Sequence, residues 1–141
     1  MEKGQPMRLI ENIALPNGLE IEIYDYSRKV AGDRWFVGFM ARVPVEVKEE
    51  HFVNALKNDM QYGTQIRELF EEFYEKHGRI VYFEIKKERN FIDQRERDGL
   101  WETLFNNFKA HVLNYMKHKD FEQRFMNRRI KEFMEKRLWY R

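Results

Sequence analysis

Residues 15–26 read Leu15-Pro16-Asn17-Gly18-Leu19-Glu20-Ile21-Glu22-Ile23-Tyr24-Asp25-Tyr26, and their pattern decides the fold class. Leu19, Ile21 and Ile23 alternate with Glu20 and Glu22, which puts apolar side chains on one face of an extended chain and acids on the other. That is a half-buried antiparallel strand. Asn17-Gly18 ahead of it suits the positive-φ positions of a tight hairpin turn. Leu9, Ile10, Ile13 and Leu15 supply the strand on the other side of that turn. Downstream, residues 27–34 are polar and contain Gly32, the pattern of a loop. Residues 35–47 follow, apolar on both faces as far as Ala41, and read as the central strand. Pro44 cannot donate to a ladder and marks an edge or a bulge.

Helical spacing begins after Lys48. Phe52, Val53, Leu56 and Met60 recur at helical intervals, Gly63 interrupts, and Ile66, Leu69, Phe70, Phe73 and Tyr74 resume the pattern up to the stop at Gly78. Residues 49–77 are therefore one crossover helix or a helical hairpin. Residues 79–89 contain Ile80-Val81-Tyr82-Phe83-Glu84-Ile85, a fourth strand. Asp93, with Glu96 three residues on, makes a plausible N-cap pair. Beyond it, Trp101, Leu104, Phe105, Phe108, Val112, Tyr115 and Met116 form one helical stripe, and Phe121, Phe125, Ile130, Phe133, Met134 and Leu138 form another. The order β-β-β-α-β-α-α predicts an α+β fold. Its sheet is mostly antiparallel and four-stranded, with helices packed on one face and two long C-terminal helices. No repeat or linker divides the chain, so residues 1–141 read as a single globular domain of ordinary size.

Composition narrows the chemistry. The 141 residues include no cysteine, which excludes disulfides, thiolate metal sites and cysteine nucleophiles. Ser27, Thr64 and Thr103 are the only hydroxyl-bearing aliphatic side chains, so most nucleophilic hydrolase mechanisms have almost nothing to work with. His111 and His118, seven apart, share a helix face but sit about 10.5 Å apart along its axis, too far to ligate one metal. No phosphate-binding glycine loop, zinc-protease motif or EF-hand pattern is present, and no metal or other cofactor is expected. The N-terminus has no apolar signal core, and the longest apolar run, residues 35–41, is far short of the ~20 residues a spanning helix needs. A cytoplasmic protein is the expectation.

Two groups of residues carry candidate chemistry. The first is the segment around residues 25–35. There Arg28 and Arg34 offer paired donors to a phosphate or carboxylate, and Asp25 or Asp33 would serve as a general base if burial raised its pKa. The plainer reading is a loop whose acids and arginines pair with one another. The second group follows from charge. The net charge is +2, but residues 1–108 hold 16 Lys/Arg against 20 Asp/Glu, while residues 109–141 hold 10 against 4. Arg124, Arg128, Arg129, Lys131 and Arg137 could thus contact nucleic acid or an acidic partner. The plainer reading is a solvated helix face. Arg89-Asn90-Phe91-Ile92-Asp93 forms a further polar cluster, which shares one end of the sheet with residues 27–34 only if residues 49–77 form a hairpin. Trp139 and Tyr140 are the expected exposed aromatic pair.

Residues 15–19, 25–28 and 31–35, together with Lys86-Lys87-Glu88-Arg89-Asn90-Phe91-Ile92-Asp93, resemble a small family of bacterial proteins of unknown function. The resemblance implies a bacterial origin and a single-domain architecture, and no activity, cofactor or site. Three functions stay open. The favoured one is a non-enzymatic interaction or regulatory module with a protein partner, or a homodimer through the C-terminal helices, whose aromatic stripes read as broader than one face of a four-stranded sheet covers. The others are a nucleic-acid-binding protein using the last helix, and a small enzyme or ligand-binding protein using residues 25–35.

Overall fold

The computed structural model describes residues 7–139 and is of mixed α+β class. The chain folds as two compact units, each taking two stretches of chain: residues 1–43 with 83–118, and residues 44–82 with 119–141. The strands are β1 (Arg8–Ala14), β2 (Glu20–Asp25), β3 (Arg28–Ala31), β4 (Arg34–Glu46) and β5 (Ile80–Asp93). The helices are α1 (Glu49–Leu56), α2 (Ile66–His77), α3 (Arg97–His111), α4 (Leu113–Lys117) and α5 (Phe121–Trp139). The antiparallel open sheet runs β1-β2-β4-β3, with β5 on β4.

In the first unit, β1 and β2 form the hairpin that the alternating stretch predicts, in register from Arg8↔Asp25 to Ala14↔Glu20, with a bulge between Leu9 and Glu11. Asn17 in its turn accepts from the Leu19 N–H, and its amide donates to the Met116 and His118 carbonyls at 2.8 and 3.0 Å, capping the end of α4. The polar stretch 27–34 departs from expectation, because it is not a loop but carries a fifth strand. Residues 28–31 pair with residues 34–36 across a turn in which Gly32 sits at φ +52°, a conformation only glycine adopts without strain. β2 and β3 lie end to end on the same side of β4, interrupted at Tyr26-Ser27. There the chain's one serine accepts from the Gly38 N–H at 3.0 Å, so its hydroxyl stands in for a ladder carbonyl. The core packs Ile21, Ile23, Val37, Phe39 and Ala41 beneath Trp101, Leu104, Phe105 and Phe108 of α3. Phe39 lies 5.6–5.8 Å from the three aromatic rings, within the range of favourable tilted contacts. The C-terminal stripe is not one helix: it breaks at Val112 into α3 and α4.

In the second unit, residues 49–77 are a hairpin of α1 and α2, with a 3₁₀ turn at Met60–Tyr62 just ahead of Gly63. Phe73 packs against Phe52 and Phe133, which ties α2 to α1 and α5. His51 is buried. Its Nδ1 accepts from the Lys48 N–H, so its Nε2 carries the proton toward Glu122, 2.6 Å away. The apolar stripe of α5 (Phe121, Phe125, Met126, Ile130, Phe133) is buried, while its outward residues are mostly charged. Of the two C-terminal stripes, Tyr115 and Leu138 remain exposed. The pair Trp139 and Tyr140 falls outside the described residues and side chains. Among the described residues no helix is long and apolar enough to cross a membrane.

Candidate functional site

The helical hairpin decides where the two polar clusters lie. It returns the chain so that β5 runs antiparallel to β4, and residues 27–34 and 89–95 then meet at one end of the sheet. The Gln94 N–H donates to the Asp33 carbonyl at 2.8 Å, and Arg34 lies 3.6 Å from Asp93. Arg34 also approaches Asp33 at 3.7 Å. Asp93 accepts from both the backbone and the guanidinium of Arg95, and those hydrogen bonds, with Arg34 nearby, hold its carboxyl down at about 2. Arg28 lies over the Phe36 ring at 5.2 Å. Three of the four loop candidates, Arg28, Asp33 and Arg34, are thus brought to this end.

Asp25 is separate. It faces α3 from the end of β2, is 4% exposed, and accepts from the Ser27 N–H (2.9 Å), Arg97 (2.8 Å) and Arg8 (3.2 Å). Burial alone would raise its pKa, but the Ser27 and Arg97 hydrogen bonds outweigh it and hold the carboxyl below the ordinary range. The condition set for a general base, a raised pKa, is not met. Asp25 is an ionised anchor for Arg97, whose guanidinium also lies 5.1 Å from the Trp35 ring centre.

What sequence reasoning missed at this end is its apolar content. Phe91 is 71% exposed and is the one non-glycine residue at positive φ among the described residues, at +55°. Val30, across the same end on β3, is 41% exposed. A bulky aromatic held in the left-handed region costs of order 1–3 kcal/mol, and it persists only where the surroundings impose it. Phe91→Gly should therefore stabilise the free protein by about 0.5–1 kcal/mol, the strain relieved less the extra unfolded-state entropy of glycine. Equilibrium urea unfolding reads this directly, and a loss of stability would show that Phe91 serves its own fold.

The basic helix is less available than its sequence suggests. Arg137 is committed to Glu72 at 2.8 Å, Arg124 approaches Asp120 at 3.8 Å, and Arg129 lies over Phe125. Arg128 and Lys131 are exposed. Among the described residues no three His, Asp or Glu side chains come together to hold a metal ion.

Known families, curated proteins and solved structures were each compared with this chain, and none matches. The function must be argued from the site itself.

Proposed function

We propose that the protein is a small non-enzymatic interaction or regulatory module, which docks a protein partner through the end of the sheet that carries Phe91. One observation carries the reading: a phenylalanine kept both exposed and in a strained backbone conformation gives its own fold little. Buried in a partner's pocket, a phenylalanine side chain is worth about 1.5–3 kcal/mol. Val30 is a second exposed apolar side chain at this end, and Arg28, Lys29 and Arg89 are cations of the same two segments. The acids at this end, Asp33 and Asp93, are already engaged by Arg34 and Arg95. The partner of best fit has an apolar pocket with an acidic rim. As part of the same proposal we assign the module to a bacterial cytoplasm.

A second reading rests on α5, where Arg124, Arg128 and Lys131 follow one exposed side at helical spacing and suit phosphates or an acidic surface. Asp25, ionised and saturated with donors, supports an anchoring role rather than proton transfer. The docking proposal is tested with a photo-crosslinking phenylalanine analogue at position 91, and at exposed Glu102 as control, in the cells that make the protein. A discrete adduct from position 91 alone is expected, its mass separating a foreign partner from a second copy. Equal labelling from both positions would overturn the proposal.

A further inference from the structure

A second feature of the first unit lies between β5 and α3. Ile85, Lys87 and Arg89 alternate along the strand and so share one face, while Leu104, Asn107, Phe108 and His111 share a face of the helix at spacings of three and four. Together they line a cleft of about 230 Å³. Its floor is apolar, formed by Ile85, Leu104 and Phe108, and its polar groups are Lys87, Arg89, Asn107 and His111. No acid lines it. Lys87, Asn107 and His111 make no hydrogen bond or ion pair within the described residues, and Arg89 donates only to the neighbouring Glu88 carbonyl.

We infer that this cleft binds a small organic acid, with a carboxylate head on Arg89 and Lys87 and an apolar body on Phe108 and Leu104. The charge pattern points to an anion. Several other cations of this unit meet acids: Arg97 meets Asp25, Arg34 meets Asp93 and Arg42 meets Glu22. Here two cations, an amide and an imidazole converge with no acid among them, and an anion is the occupant that complements the two positive charges. The Arg89 guanidinium offers paired donors matched to a carboxylate, and Lys87 adds a point charge. Asn107 supplies a further donor from the helix side. The volume lies below the ~300–1,000 Å³ typical of drug-sized ligands, which restricts the occupant to a short aliphatic or single-ring acid. The apolar floor requires a body beyond the bare anion.

The test is an amide-resolved NMR titration of the full chain with benzoate, benzyl alcohol and inorganic phosphate. Benzoate should give saturable shifts centred on Ile85, Phe108 and His111, with a Kd of about 1 mM or tighter. Benzyl alcohol, and benzoate on Arg89→Gln or Lys87→Gln, should bind about tenfold more weakly. Both replaced side chains are exposed, and the same spectra report whether each variant is folded. Phe91→Gly should retain benzoate binding, so failure of the docking proposal and failure of this one are distinguishable. The inference is overturned if benzyl alcohol binds as tightly as benzoate, which would mean an apolar dent without anion recognition. It is also overturned if phosphate alone reproduces the benzoate shifts, an adventitious ion only, or if no saturable response appears by about 10 mM.

Discussion

Replacing Asp25 with alanine is expected to lower stability by about 3–5 kcal/mol, the cost of removing one partner from a buried ion pair. The Asp25 side chain is 3% exposed and that of Arg97 17%, so the guanidinium left behind can recover only part of its hydration. The Ser27 N–H and one contact of Arg8 lose their acceptor as well. Asp25→Asn keeps the shape and an acceptor oxygen but not the charge, and should cost less than alanine. The pH dependence has a definite sign. The folded-state pKa is depressed, so the stabilisation is fully present above the unfolded-state value of about 3.9 and disappears as pH falls through the lower native value. Urea unfolding from pH 6 down to pH 2 should therefore show a steeper acid limb for wild type than for Asp25→Asn. Parallel acid limbs would remove Asp25 from its assigned role.

The second large effect is expected at Gly38, where Gly38→Ala should destabilise by about 1–3 kcal/mol through overpacking. A Cβ there would lie 2.7–2.9 Å from three ring atoms of Tyr26, closer than carbon atoms tolerate. The ring is not free to retreat. Its hydroxyl donates to Glu88 at 2.6 Å, its ring packs tilted against Phe36 at 5.8 Å, and the Lys86 amine lies 5.9 Å from the ring centre. Burial and the Glu88 carboxylate together push the Tyr26 phenol pKa upward, keeping it a donor at all ordinary pH. The glycine backbone is equally tied: its N–H donates to Ser27 Oγ, and its carbonyl accepts from the Tyr26 N–H and from Trp101 Nε1. Removing the obstructing ring should rescue the alanine, so Tyr26→Ala and Gly38→Ala should combine to less than the sum of their separate costs. Strict additivity in urea unfolding would contradict the packing described.

The pattern of Leu19, Ile21 and Ile23 was enough to predict the β1–β2 hairpin, and the Trp101–Phe108 stripe enough to predict the helix over it, because burial on one face leaves a period in the sequence. β3 has no buried residue, so Arg28-Lys29-Val30-Ala31 carries no such period and reads as a loop. The choice between one helix and two over residues 49–77 was open because Gly63 is tolerated inside a helix as well as in a turn. That choice decided whether residues 27–34 and 89–95 share an end. The anchoring of Asp25 depends on Arg97, 72 residues away, and no local pattern announces it. Phe91 looked like one apolar residue in a polar segment, since its left-handed backbone is imposed by the tertiary structure. The cleft was half legible: each of its two faces has the proper spacing, but only the sheet topology sets them opposite one another.

The most direct test of the docking account is the size at which the protein elutes from fresh extract of the cells that make it, run at low and high salt with absorbance read at 260 and 280 nm. Wild type should elute in a complex larger than the free 17.5 kDa chain, with a protein-like absorbance ratio at both salts, while Phe91→Gly elutes free. Identical elution of the two would contradict the account. So would a wild-type complex that carries excess 260 nm absorbance and dissolves at high salt, which would transfer the function to the cations of α5.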